Sequence, residues 1–345
     1  MTRRGLLGAA LAALPLAACT PQLIPAGPVE RLTRMGDNWL VMPDGAFLPF
    51  RSWLPPQPPR AVVLALHGFN DSRNFMEEPA PLFTAAGMAV YAFDQRGFGG
   101  APNRGVWAGS ETMAADVSRA ARLVSARHPG VPLILMGESM GGAVAMVAAA
   151  SEDPPPVQGI VLLAPAVWGR ATMPGFMRWT MEIAAHTIPR VAFSSSVPGV
   201  SPTDNPEALR RWARDPLTIR DTRVDTTWGL LGLMDEAEAA ASRLGPGTPP
   251  TLLVYGARDQ LVPPSATRRM LEELPPGAPL RLAYYERSHH FLLRDLNGAA
   301  VTRDIIAWIP APEAPLPSGA DRAGAAWRAG EAGAVAAVPA APAGG

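Results

Sequence analysis

The segment Pro132–Ala143 reads PLILMGESMGGA. Leu133, Ile134, Leu135 and Met136 form a short apolar run, the signature of a buried strand in a parallel sheet. The run stops at Gly137-Glu138-Ser139-Met140-Gly141, and from Gly142 onward the chain is built of small residues and good helix formers. Strand, G-x-S-x-G, helix is the pattern of a nucleophile elbow. The sharp turn forces Ser139 into a strained backbone conformation, and the flanking glycines remove side chains that would collide with the neighbouring strand and helix. The hydroxyl then stands above the sheet, and the free N–H groups of the helix start face any anion forming there.

Working outward, the same strand–helix rhythm recurs on both sides. Trp39–Met42 and Ala46–Trp53, separated by Pro43-Asp44-Gly45, predict a hairpin. Ala61–Leu66 is a second unbroken apolar run, ending in His67-Gly68-Phe69-Asn70. A helix is predicted over Phe75–Ala86, a strand over Met88–Phe93 and an amphipathic helix over Ser110–Arg127. After the elbow come strands at Ile160–Leu163, Thr251–Tyr255 and Leu280–Tyr285, and a last helix over Ala299–Trp308. Such alternation gives an α/β fold, a mostly parallel central sheet flanked by helices, with right-handed crossovers. Between residues 166 and 245 the rhythm breaks. This stretch is rich in Met, Trp and Phe and lies between two core strands, so it is expected to be an inserted helical cap. Most of its large apolar residues form the cap's own core, and the remainder line an acyl tunnel or touch a bilayer.

The two ends read differently. Thr2-Arg3-Arg4 followed by the apolar run Gly5–Ala18 is a signal peptide (residues 1–18), too short to span a bilayer as a mature helix. It ends in Leu16-Ala17-Ala18-Cys19, which resembles a bacterial lipobox and makes Cys19 the expected lipid anchor. Cys19 is the only cysteine, so no internal disulfide forms. The chain is then expected to sit in the bacterial cell envelope, held to a membrane and facing the periplasm or the outside. Residues 19–36 read as anchor and linker, 37–165 and 246–309 as the two parts of the core, and 310–345 as a disordered tail rich in Ala, Pro and Gly. Within that tail the residues around Asp321–Glu331 can form a short helix. Formal net charge is zero and all 30 basic side chains are arginine, a balance that argues against nucleic acid as a partner.

A serine nucleophile needs a base and a carboxylate to orient that base. Of the five histidines, His67 lies beside a core strand, His128 ends a surface helix and His186 falls in the cap. His289 and His290 remain, beyond the last core strand. Asp259, in the loop after Thr251–Tyr255, is the acid between serine and histidine. No metal-ligand spacing and no dinucleotide fingerprint is present, so neither metal nor organic cofactor is expected.

The set His67-Gly68-Phe69, Asp94-x-Arg96-Gly97-x-Gly99, Gly137-x-Ser139-x-Gly141 and Asp259-x-Leu261-Val262-Pro263, with the late histidine, resembles the α/β-hydrolase superfamily. Within it, the chain is most similar to the monoacylglycerol lipase and lysophospholipase group of serine-aminopeptidase-type hydrolases. Gly141-Gly142-Ala143 and Asp215-Pro216-Leu217 are further echoes of that group. The resemblance implies His290 as the base, because Phe291-Leu292-Leu293-Arg294-Asp295 follows it in register. It also implies the N–H groups of Phe69 and Met140 as the oxyanion hole, and a bracing part for Asp94 and Arg96. The group often carries His before the nucleophile; here that residue is Glu138. The expected activity is hydrolysis of monoacylglycerol or lysophospholipid-like esters through an acyl-enzyme on Ser139. The alternatives are an aminopeptidase, thioesterase or acyltransferase using the same triad, or a non-catalytic envelope lipoprotein. A peptidase needs an acidic site for a free α-amine, for which Glu182 is the candidate.

Overall fold

A computed structural model describes residues 20–194 and 199–330. Residues 1–19, where a signal peptide and the Cys19 anchor are expected, and residues 331–345 of the expected tail lie outside the described residues. The described strands are β1 (Arg34–Met35), β2 (Trp39–Val41), β3 (Phe47–Trp53), β4 (Ala61–Leu66), β5 (Met88–Phe93), β6 (Leu133–Glu138), β7 (Gly159–Leu163), β8 (Ala192–Ser194), β9 (Asp221–Arg223), β10 (Thr251–Gly256) and β11 (Leu280–Tyr285). Nine of them form one sheet in the order β1-β2-β3-β5-β4-β6-β7-β10-β11. From β5 to β11 all pairings are parallel, while β1, β2 and β3 add an antiparallel edge. Every residue of β4, β5, β6, β7 and β10 is buried, as continuous apolar strands covered on both faces require.

One face is covered by α2 (Ser110–Arg127), α3 (Met140–Ala149), α6 (Val224–Ala241) and α7 (Pro264–Glu272), the other by α1 (Ala80–Ala85) and α8 (Gly298–Trp308). Strand order reverses at β4, which lies between β5 and β6. The carboxyl ends of the strands beside such a reversal are the position where open α/β sheets place ligands. Register pairs Leu66 with Gly137, so the His67 loop and the Ser139 turn leave adjacent strands side by side.

Four expectations are corrected. The helix expected over 75–86 is a 3₁₀ turn at Arg73–Met76 followed by the short α1, because Pro79 and Pro81 interrupt the backbone hydrogen bonding. The cap ends near residue 223, not 245. α6 packs on α3 with Leu230, Leu233 and Ala237 in the main core, so it is a core helix. What remains of the cap is α4 (Gly175–Thr187), α5 (Pro206–Arg214) and the small β8–β9 ladder. The linker is not free, since β1 pairs with β2 and Leu23 bridges to Trp107.

The fourth correction concerns the tail, whose residues 310–330 are ordered. α9 (Ala320–Arg328) packs along β11, and Trp327 is buried against Tyr284 and Tyr255 with ring centroids 5.5 and 5.7 Å apart. Composition hid this because one tryptophan and Leu316 supply most of the apolar contact. Gly324 lets the helix touch the sheet, since a Cβ there would collide with the Leu282 carbonyl.

Candidate active site

The elbow turn places Ser139 at φ 54° and ψ −115°, a conformation that costs a non-glycine residue about 1–3 kcal/mol. Its surroundings hold it there. The Ser139 N–H donates to the Leu163 carbonyl at 2.9 Å, and its own carbonyl accepts from Ala143 and Ala166 at 3.0 Å each. Both motif glycines are required by contact: a Cβ on Gly137 would strike the Gly141 carbonyl, and one on Gly141 the Leu66 carbonyl. Ser139 is partly exposed, whereas Met140 beneath it is fully buried.

His290 and Asp259 come together from the loops after β11 and β10. The His290 Nδ1 lies 2.8 Å from Asp259 Oδ2. A carboxylate only accepts, so Nδ1 carries the proton and Nε2 presents its lone pair. Asp259 is itself fixed, because its Oδ1 accepts the N–H groups of Leu261 and Val262 at 2.8 and 3.0 Å. Gly256 allows the two loops to meet, since a Cβ there would press on the Ser288 carbonyl. His290 is 2% exposed. Burial pulls its pKa down, but the Asp259 carboxylate, with Glu138 adding to it, outweighs this and the pKa is raised. His289, the neighbouring candidate, instead lies 3.6 Å from Asp295.

The loop after β4 supplies the opposite wall. An ideal Cβ on Gly68 would sit 3.4 Å from Ser139 Cβ, which brings the Phe69 backbone beside the nucleophile. Neither the Phe69 nor the Met140 N–H donates to another backbone group among the described residues, leaving both available to an anion. His67 braces this loop. Its Nε2 accepts from Gln95 N–H at 3.0 Å, so its Nδ1–H donates to the Gly68 carbonyl at 2.8 Å. Burial holds its pKa down, consistent with a neutral ring. Asp94 accepts the N–H groups of Arg73 and Gly100 and pairs with the Arg73 guanidinium. Arg96 is gripped by Asp44 at 2.6 Å and Asp116 at 2.5 Å. Both residues therefore act as braces.

A buried ion cluster went unread in the sequence. The Arg294 guanidinium donates to Glu138 Oε1 at 2.5 Å and to Asp71 Oδ2 at 2.8 Å, and it stacks over Phe291 at 3.9 Å. Arg294 follows His290 by four residues, and Glu138 precedes Ser139 by one. The two reactive side chains thus ride on loops bonded directly to each other. The available signal was an arginine and an acid set in the otherwise apolar run after the histidines, matched by an unexpected acid before the serine.

Asp204, His289 and Asp295 have donor atoms within 4.8 Å of one another, a grouping that could suit a cation. Three of the four carboxylate oxygens already accept backbone N–H groups. Asp295 accepts the His289 N–H at 2.5 Å and the Asp204 N–H at 3.3 Å, while Asp204 accepts the Leu296 N–H at 2.9 Å. With Phe291 N–H donating to the Pro202 carbonyl at 2.8 Å, this cluster clamps cap residues 202–204 to the His290 loop. Asp215 of the cap is likewise tied to the β4 loop, accepting from Asn74 at 2.9 Å. Glu182 lies exposed on α4, 3.5 Å from His186, which gives no support to an α-amine site there.

Comparison with known proteins places this geometry in context. The chain is 28% identical over 276 residues to monoglyceride lipase of Rattus norvegicus, covering 78% of this chain and 89% of that protein. It is 24% identical over 267 residues to monoacylglycerol lipase of Mycolicibacterium smegmatis, covering 77% and 93%. In structure it resembles a soluble variant of monoglyceride lipase from Saccharomyces cerevisiae, with TM-score 0.66, 17% identity and coverage of 84% and 97%, so the two share the α/β-hydrolase fold. The family described as serine aminopeptidase, S33, matches residues 57–297, a span that includes the elbow, the acid and the histidine. The chain therefore belongs to the serine aminopeptidase S33 family.

Proposed function

We propose that this protein is a serine ester hydrolase acting on monoacylglycerol or lysophospholipid-like esters, with Ser139, His290 and Asp259 as its triad. The hydrogen bond between His290 and Asp259, on a loop bonded through Arg294 to the residue before Ser139, is the observation that carries the reading. Ser139 Oγ attacks the ester carbonyl as His290 Nε2 takes its proton, and Asp259 steadies the imidazolium. The N–H groups of Phe69 and Met140 receive the oxyanion, a contribution of roughly 2.7–4 kcal/mol per donor to the transition state. His290 then protonates the leaving alcohol, and water, activated by the same imidazole, releases the acid.

Relatives of the chain are named monoglyceride or monoacylglycerol lipases, and the Met- and Trp-containing cap suits an acyl chain. Cys19 is the acylated N-terminus in this reading, and the enzyme resides in the bacterial envelope. The purified protein should hydrolyse p-nitrophenyl esters and monooleoylglycerol, and Ser139→Ala should abolish both. Turnover surviving that substitution refutes the proposal. A panel of aminoacyl amides, thioesters and esters compared on the same protein decides between ester hydrolysis and the other acyl chemistries.

A further inference from the structure

The turn that carries the proposed oxyanion donor Phe69 is gripped by the cap at one residue. Residues 68–71 close a tight turn in which the Asp71 N–H donates to the Gly68 carbonyl at 3.2 Å. Phe69 and Asn70 are its central residues, and Asn70 has a φ of 62°. Positive φ at the third position is the requirement of a type II turn, which Gly and Asn meet best. The His67 ring donates to the same Gly68 carbonyl at 2.8 Å. That carbonyl and the Phe69 N–H are opposite ends of one planar trans peptide, so whatever holds the carbonyl aims the N–H.

Asn70 ties this turn to the cap. Its Nδ2–H donates to Thr222 Oγ1 at 2.6 Å, and its carbonyl accepts the Ile219 N–H at 2.9 Å. Both residues are buried, Asn70 at 3% exposure and Thr222 at 7%. Asn70 Oδ1 is buried as well and accepts from no group among the described residues, so the amide depends on Thr222. The turn alone would be served as well by glycine, which leaves no half-satisfied amide in the interior. The cap side of the bond is itself fixed. Thr222 lies opposite Phe193 in the β8–β9 ladder, and Arg104 donates to the Pro216 and Thr218 carbonyls at 2.8 and 3.0 Å.

We propose that Asn70 is a positioning residue through which the seated cap aims the Phe69 N–H at the reacting carbonyl. This rests on the hydrolase reading above. The cap then has one foot on each half of the catalytic apparatus, residues 202–204 on the His290 loop and residues 219–222 on the oxyanion turn. An N–H pulled off its aim weakens transition-state stabilisation in acylation and deacylation alike, and leaves ground-state binding of a small ester as it was.

Two variants test this. Asn70→Gly keeps the backbone conformation available and removes the amide, whereas Thr222→Val removes only the hydroxyl. Each should lower kcat/KM for a soluble short-chain p-nitrophenyl ester at least fivefold, through kcat, with KM within twofold of the native value. The double variant should lose no more than the larger single loss, and Thr222→Ser should match the native enzyme. A short alkyl trifluoromethyl ketone, whose adduct with Ser139 carries an oxyanion, should bind both variants more weakly by the same factor. The acidic limb of the pH profile should stay where the native enzyme has it, since His290 is untouched. An Asn70→Gly enzyme with native kinetics shows a residue kept for its turn alone and overturns the proposal. So do losses that add in the double variant, inhibitor affinity that does not follow kcat/KM, or a moved acidic limb. A native chain without ester turnover refutes the hydrolase reading and this proposal with it, whereas native turnover with unaffected variants refutes the proposal alone.

Discussion

Glu138 is the residue whose chemistry differs most from what its position led us to expect. It is fully buried, and burial raises its pKa while the Arg294 guanidinium at 2.5 Å opposes the rise. Its negative charge raises the pKa of His290, which already lies above the ordinary 6.5. The base must be neutral to accept a proton, so the acidic limb of kcat/KM should fall above pH 6.5, with activity increasing as pH rises through it. Glu138→Gln removes one support of the imidazolium, so that limb should move to lower pH; a profile left in place would show Glu138 to be purely structural. Arg294→Met leaves Asp71 and Glu138 as unpaired buried carboxylates and should cost about 3–5 kcal/mol, read by denaturant unfolding. Asp44 offers a separate pH signature. The Arg96 hydrogen bond holds its pKa at about 2 against an ordinary 3.8, so its stabilisation is complete above pH 3.8 and fades as pH falls through 2. Asp44→Asn should therefore lower Tm at neutral pH and flatten acid unfolding across that window.

At the level of elements, the parts fixed by local pattern were legible and those fixed by tertiary contact were not. The elbow, β4 with its glycine loop, and the Asp259 turn announce themselves through apolar runs ending in glycine or acid, since a buried parallel strand admits little else. The cap boundary was hidden because α6 has the composition of its neighbours; only its seat on α3 makes it core. The order of residues 310–330 was hidden for the opposite reason, its Ala-, Pro- and Gly-rich composition masking a few decisive contacts. Trp327 stacks on Tyr284 and lies under Arg268 at 3.8 Å, and Arg268 also donates to its carbonyl at 3.0 Å. Trp327→Ala should cost about 3–5 kcal/mol, visible as a lowered Tm, while leaving the kcat of the folded enzyme unchanged. The Asp71–Glu138–Arg294 cluster could not be read in advance, because its three members are spread over more than two hundred positions and meet only once the sheet is assembled.

For the whole molecule, the cap interrupts the chain between the nucleophile and the other two members of the triad. The core closes around it without needing its strands, so exchanging residues 169–223 for another cap, which spares Ala166 and Val167 beneath the Ser139 turn, should change acyl-chain preference on a substrate panel while soluble short-chain esters are still turned over. One restraint on such an exchange is already visible. Pro202, Asp204 and Asp295 hold the cap to the loop that carries His290. That margin of the lid cannot lift without tugging at the imidazole, so a wide opening there and a correctly seated proton acceptor are at odds. Long substrates are better admitted by a movement of the lid that leaves this margin seated on its loop.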